Sequence, residues 1–240
     1  MDYWEALSND STWIPFNNYG NRVVNASKLA KLNATHVVFE GFESEVFDVT
    51  EDEKVRPVLS YAKGKAKTEE DLKQSKLNYV IVRLGSVIGY SLDTMRINIM
   101  PNLFSKIASQ EGQIKLFSGG RQHKSIVTVF DVVRCLKHLA ELDSINRQIF
   151  HCSSDNTTVK DVALICQEFS PNVRLVETDD EVPNLGYTMS KQKLLSTGFE
   201  FKFPVRAAIQ EMIENWSKKE KFSELERAMA RTLKTTQQFT

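Results

Sequence analysis

Apolar positions along the chain change their spacing several times, and each change marks an element. From Asn17 to Leu32, the positions Val23, Val24, Ala26, Leu29 and Ala30 fall near helical spacing, with Asn33 as a stop, which predicts a helix. The run THVVF, Thr35–Phe39, is short, β-branched and aromatic, and predicts a buried strand. An acidic stretch closed by Pro57 reads as a surface loop. A helix is then expected over Ser60–Lys76, followed by a strand over Tyr79–Leu84. A helix between two short apolar strands is the signature of a parallel α/β sheet.

Farther along, MRINIMPNLFSKIASQEG predicts a helix around its proline, IKLF a short strand, and VFDVVRCLKHLAEL a strongly amphipathic helix beginning after Thr128. QIFHCS, Gln148–Ser153, predicts another strand. TVKDVALICQEF, NVRLVET, SKQKLLSTGF and VRAAIQEMIENW follow as helix, strand, helix and helix. The segment from Ser217 onward is polar with helical spacing, and no internal repeat or low-complexity stretch is present.

Composition narrows the class without choosing a function. The 240 residues suffice for one domain or a domain with an appended lobe, and 41% hydrophobic with 26% charged residues is ordinary for a globular protein. Thirty-one basic residues balance 31 acidic ones, so no partnership with nucleic acid or an anionic membrane is expected. No apolar run reaches the ~18 residues a membrane span needs. The first residues lack a signal-peptide pattern, so a cytoplasmic location is expected. Cys135, Cys152 and Cys166 form no CxxC pair and are expected to be buried thiols in a reducing compartment. His36, His123, His138 and His151 show no ligand spacing, so no metal site is expected.

The charged helix over Ser60–Lys76 holds the first chemistry. Tyr61 and Lys65 are four residues apart and would share one helix face. A free phenol, with a pKa near ~10, is too weak an acid to serve as a base at neutral pH, and an adjacent ammonium lowers it by favouring the phenolate. The spacing alone is weak evidence, because a chain with six Tyr and many Lys meets it by chance.

The surrounding motifs make the case stronger. SYAKGK carries a Tyr-x-x-x-Lys pair, and RLGSVIG places Arg83, Val87 and Gly89 after the next strand. GGRQHKSIVTVFDVV places Gly120, Gln122, Lys124, Val129 and Asp131, and a closing segment runs through Gly198 and Phe199 to Trp216. Together, in this order, they resemble the extended short-chain dehydrogenase/reductase family, the NAD(P)-dependent sugar-nucleotide epimerases and dehydratases, over about Asp2 to Trp216. The resemblance implies an α/β fold: a partial Rossmann-type parallel sheet lacking its first strands, with an interleaved smaller C-terminal α/β substrate lobe. Residues 1–150 would form the core, with 91–125 contributing to the lobe, and 151–240 would form the rest of the lobe and a polar helical tail.

The same resemblance implies the site. Tyr61 would exchange a proton with a sugar hydroxyl or ketone while hydride moves to or from the nicotinamide of NAD or NADP. Lys65 would also hydrogen-bond the nicotinamide ribose, and Val87 would line the cofactor. Lys124 stands where the family has an arginine gripping the substrate diphosphate, with charge but without the two-pronged geometry. Asn102 is a substrate-contacting amide by resemblance, and a helix cap or loop amide by its setting. Asp131 is expected to satisfy free amides at its helix start. Trp4, Trp13 and Trp216 are expected to pack.

Two departures from the family pattern matter. None of the ten glycines forms the GxxGxxG or GxGxxG turn that lets backbone approach a pyrophosphate. In FESEVFD, the position of the family's substrate-binding Ser or Thr falls on Glu43, whose carboxylate would oppose a phenolate, and the adjacent Ser44 takes that role only if a bulge shifts the register. Two readings therefore stand. One is an enzyme acting on a nucleotide-sugar substrate by epimerisation, dehydration or reduction. The other is a non-catalytic homologue serving as a binding or regulatory module. A homo-oligomer or a pairing with a full-length homologue is the expected assembly.

Overall fold

The structure is a computed structural model and describes residues 14–16, 21–23, 32–35, 46–57, 60–91, 95–180 and 186–218. Its elements run β1 (Ile14–Phe16), β2 (Asn21–Val23), β3 (Leu32–Thr35), β4 (Val46–Val49), α1 (Ser60–Gln74), β5 (Val80–Leu84), β6 (Ser86–Ile88), α2 (Met100–Ala108), β7 (Gln113–Phe117), β8 (His123–Thr128), α3 (Val129–Glu141), β9 (Gln148–Cys152), β10 (Asp155–Thr158), α4 (Val159–Phe169), β11 (Arg174–Thr178), β12 (Tyr187–Met189), α5 (Gln192–Leu195) and α6 (Val205–Ser217). A single 3-10 turn, Ser118–Gly120, links β7 to β8.

The fold is mixed α/β with parallel sheets. β5 lies between β3 and β9, parallel to both, with Leu32 opposite Val80 and Arg83 opposite His151. β8 pairs parallel with β6 and antiparallel with β10. β11 adds parallel to β7, and β12 adds parallel to β4. The helix between two parallel strands, expected from the sequence, is α1 between β3 and β5.

The strongly periodic segments fold where their pattern places them, because burial of one face selects both element and phase. α3 starts after Thr128, whose hydroxyl accepts from Asp131 N–H at 3.3 Å. α2 begins at its proline, whose missing N–H costs nothing in a first turn. Among the described residues the two larger apolar clusters are these. One joins α2, β7, α4 and α6 around Ile114, Leu116, Ile209 and Met212. The other joins β5, β9 and α3 around Val80, Val82, Leu139 and Phe150, and takes in Leu194 and Phe199. All three cysteines are buried free thiols.

The amino-terminal expectations need correction. Within the helix expected over Asn17–Leu32, Asn21–Val23 is a strand, pairing antiparallel with Ile14–Phe16, and Leu32 opens β3. The apolar spacing there was compatible with a helix, but Val23 is β-branched and gains more from a paired extended backbone. The strand expected at Thr35–Phe39 lies at Leu32–Thr35, since the register against Val80–Arg83 decides its ends; only Thr35 is common to both, and residues 36–39 lie outside the described residues. Trp4 and Trp13 also lie outside them, as does the tail beyond residue 218.

Candidate active site

The candidate residues stand on several elements: Tyr61 and Lys65 on α1, Val87 on β6, Asn102 on α2 and Lys124 on β8. Tyr61 stands on the first turn of α1, 51% exposed, and Lys65 is half-buried one turn on. The Lys65 ammonium lies 5.6 Å from the centre of the Tyr61 ring, so the two groups face the same way, as four-residue spacing requires. One turn further, Glu69 is buried and receives the Arg83 guanidinium through Nε at 3.1 Å and Nη2 at 2.8 Å. At the other end of the helix, Arg147 donates to the Ser75 and Leu77 carbonyls at 2.9 and 3.3 Å and also bonds the Lys73 carbonyl, capping the last turn.

β5 runs into a tight passage. Gly85 N–H donates to Cys152 O at 3.0 Å, and a Cβ on Gly85 would stand 2.8 Å from Ser125 O, so only glycine lets β5 and β8 approach there. Val87 follows in β6, half-buried against the second apolar cluster.

Lys124 lies in β8 opposite Thr157. Its side chain is half-buried and makes no hydrogen bond or ion pair among the described residues, and burial lowers its pKa from the usual lysine value. An ammonium in that setting is short of an anion. Asn102, on α2, is 2% exposed; its Nδ2 donates to Arg96 O at 3.1 Å, while its buried Oδ1 has no donor. Its amide therefore ties the loop before α2 to the helix.

Asp131 departs from its expected role. Thr128, not Asp131, caps α3, and the fully buried Asp131 carboxylate instead accepts from Lys202 N–H and Phe203 N–H at 3.0–3.2 Å and from Arg134 at 2.6 Å. A carboxylate reaching across to the chain before α6 finds two main-chain donors there, with Arg134 of its own helix as a third. Ser44 and Glu43 lie outside the described residues.

Two of the surface hollows among the described residues bear on the site. One, of about 340 Å³, is lined by Gly119, Gly120, Arg121, His123, Thr158, Lys160 and Asp161 beside the start of α4. The other, of about 380 Å³, lies on the far side of α3 among Arg134, His138, Phe199 and Lys202. Neither is lined by Tyr61, Lys65, Val87, Lys124 or Asn102. The first is next to Lys124 along β8 and was not read from the sequence, although the paired Gly119 and Gly120 before a helix start were visible there. The polar lock of Glu69 and Arg83 was also missed; its signal was the third step of the Tyr61, Lys65, Glu69 spacing.

Among the described residues a dinucleotide is matched at one end only. Tyr61 and Lys65 present a phenol and an ammonium on one face, as a nicotinamide riboside requires. A pyrophosphate needs glycines whose missing Cβ leaves room for phosphate. Here the close approaches at Gly85, Gly89, Gly112, Gly120 and Gly186 are filled by the protein's own Ser125, Val129, Ile107, Lys160 and His123. Among the described residues no group of His, Cys, Asp and Glu could hold a metal ion, and no helix is long and apolar enough to cross a membrane.

The fold has solved relatives at low identity. A UDP-glucose 4-epimerase from Thermotoga maritima, with UDP-glucose, superposes with a TM-score of 0.68 at 19% identity, over 78% of this chain and 63% of that one. A Thermus thermophilus UDP-glucose 4-epimerase complexed with NAD gives 0.63 at 20% identity, over 79% and 64%. A UDP-glucuronic acid 4-epimerase from Bacillus cereus, with UDP-glucuronic acid and NAD, gives 0.67 at 15% identity, over 78% and 61%. The chain thus spans less than two thirds of the length of each. No curated protein matches it in sequence. The sequence profile of the NAD dependent epimerase/dehydratase family, in contrast, matches residues 22–152, a segment that holds the Tyr61–Lys65 helix, β5 and the Lys124 strand, and on that match the chain belongs to that family.

Proposed function

We propose that this chain acts on a nucleotide-activated sugar, with Tyr61 as the acid/base, Lys65 as its electrostatic partner and Lys124 as the anchor of the substrate diphosphate. The observation that carries the reading is the Tyr61–Lys65 contact, a phenol and an ammonium held on one helix face. With the Lys65 ammonium on the same face, Tyr61 takes the proton of a sugar hydroxyl and can return it. Lys124, half-buried without a counter-ion among the described residues, gains most from a ligand that brings two phosphates. Asn102 and Val87 would line the sugar and nicotinamide sides, and Ser44 would bond the reacting oxygen. NAD, the cofactor of this family, takes up and returns hydride when bound.

A second reading has its own support. The close approaches at Gly85, Gly89, Gly112, Gly120 and Gly186 are filled by the protein's own atoms, which favours a non-catalytic module that binds the sugar nucleotide and partners a full-length homologue.

One experiment separates the two. Calorimetric titration with UDP-glucose, then a turnover assay with NAD+ on the parent and on Tyr61→Phe, gives three outcomes. Binding with turnover that Tyr61→Phe abolishes supports the catalytic reading. Binding without turnover, in the presence and absence of NAD+, supports the module. Absence of UDP-glucose binding overturns both.

A further inference from the structure

Lysines of this chain are held by partners of several kinds. Lys67 meets Asp71 at 2.6 Å, Lys160 meets Glu177 at 2.6 Å, and Lys137 meets Glu141 at 3.8 Å. Lys106 stands over the Trp216 ring at 4.1 Å and Lys193 over Phe150 at 5.1 Å. Lys124 has neither kind of partner among the described residues, yet it is half-buried. The register of β8 against β10 gives the reason. Lys124 lies directly opposite Thr157 and shares its face of the sheet with Ile126 and Asp155. Ile126 is fully buried in the first apolar cluster, so that face leads into apolar surroundings. Thr157 turns its hydroxyl to the Asp161 carboxylate at 3.4 Å, and the same carboxylate accepts from the Thr158 N–H and hydroxyl at the start of α4. No carboxylate offsets the burial of the Lys124 amine, which holds its pKa below the usual lysine value.

We propose that Lys124 is a nucleophilic amine, the site at which this chain condenses with small aldehydes and ketones to form an imine. The inference rests on the setting of Lys124 in β8 and not on the Tyr61–Lys65 contact, and it adds a covalent role to a residue read above as an anchor. An amine attacks a carbonyl only when neutral, and an ordinary lysine, with a pKa of ~10.4, is neutral in roughly one molecule in 2,500 at pH 7. An apolar margin without a counter-ion enlarges that share, which is how burial activates a lysine toward carbonyls. Half-burial meets the opposing need, because the amine stays within reach of small solutes. In the condensation the amine nitrogen bonds to the carbonyl carbon, and one N–H proton passes to the oxygen, giving a carbinolamine. Loss of that hydroxyl as water, with the second N–H proton, leaves the C=N bond, and hydrolysis reverses both steps. No electrons are gained or lost overall, so no oxidant or reductant is needed. A bound diphosphate would restore the ammonium, so anchoring and condensation exclude each other.

The test treats the full chain at neutral pH with glyceraldehyde, an uncharged aldehyde, and with cyanoborohydride, which reduces an imine to a stable secondary amine; labelled lysines are then mapped by peptide mass. Lys124 should take up label at least ~10-fold faster than the exposed Lys63 and Lys115. Lys124→Met should lose that label and leave the labelling of Lys63 and Lys115 unchanged. Thr157→Glu keeps the amine and places a carboxylate directly opposite it, so its Lys124 should label at the rate of the exposed lysines, with the melting temperature reporting that the fold is retained. Labelling of Lys124 in the parent no faster than that of Lys63 and Lys115 overturns the proposal, as does undiminished labelling in a folded Thr157→Glu variant. Saturating UDP-glucose separates this role from the anchor. Fast labelling that UDP-glucose leaves untouched keeps the amine and removes the diphosphate anchor. Calorimetric binding of UDP-glucose that depends on Lys124, with labelling at the exposed rate, keeps the anchor and removes the amine.

Discussion

Lys124 and His151 are both ionisable groups inside the protein, and burial acts on them in the same direction. Lys124 has no partner among the described residues, so at neutral pH its ammonium carries an uncompensated desolvation cost. Replacing it in Lys124→Met should leave the thermal midpoint unchanged or higher while weakening UDP-glucose binding by about tenfold, the worth of one charge-assisted contact. Loss of stability with affinity unchanged would show Lys124 to be structural. His151 is fully buried in β9, and its pKa is lowered to about 3, first by burial and then by the nearby Arg83 cation, against the main-chain carbonyls of Ser190 and Val49, which accept from the protonated ring and favour it. The unfolded chain binds that proton near pH ~6.5 and the folded chain does not, so the His151 contribution is whole above pH ~6.5. It is lost as pH falls from there toward about 3, at about 1.4 kcal/mol per pH unit at most. Urea denaturation of the parent and of His151→Gln between pH 7 and pH 4 should show a shallower acid slope in the variant; equal slopes would assign acid sensitivity to other groups. Neither effect can be read from sequence, because burial of a histidine or lysine is a property of its neighbours.

Among the elements, α1 and α4 contrast in what fixes them. α4 shows its reasons locally: Thr158 accepts from Asp161 N–H at 3.1 Å, Asp161 accepts from Thr158 N–H at 3.1 Å, and Val159, Val162, Ala163 and Cys166 form its buried face. Thr158→Ala should cost about 1 kcal/mol, visible as a lower urea midpoint with an unchanged slope. A change below a few tenths would mean that Asp161 and the packing of Val159 hold the first turn without it. α1 was equally legible as a helix, from Ser60 to within two residues of its end, but what docks it was not. Its lock is a residue of the following strand, and a buried Glu on a lysine-rich helix is indistinguishable in sequence from a solvated one. The strands divide the same way. β5, β7, β9 and β11 are apolar enough to be named from their own residues. β8 and β10, read as HKSIVT and DNTT, are polar for much of their length and become strands because they pair with each other.

For the molecule as a whole, the claim to test first is that a sugar nucleotide is a ligand of the folded state. A ligand that binds only the folded chain raises its stability by about 2.7 kcal/mol at 100 times its Kd. UDP-glucose at saturating concentration should therefore raise the melting temperature by several degrees, and Lys124→Met should blunt the rise; an unchanged midpoint at every concentration would remove the nucleotide-sugar reading. The sequence by itself determined the helices from Ser60 onward with the apolar strands β5, β7, β9 and β11, the burial of the three cysteines and the family, through Tyr61, Lys65, Arg83 and Lys124 in their order. These are properties of short segments, set by period, β-branching and spacing along one backbone. Tertiary structure alone decided that Asn21–Val23 pairs as a strand, that Asp131 serves the chain before α6, that Lys124 is half-buried with no counter-ion among the described residues, and that Arg83 grips Glu69. Each depends on which residue from a distant part of the chain stands opposite, and pairing energy of that kind leaves no mark on local periodicity.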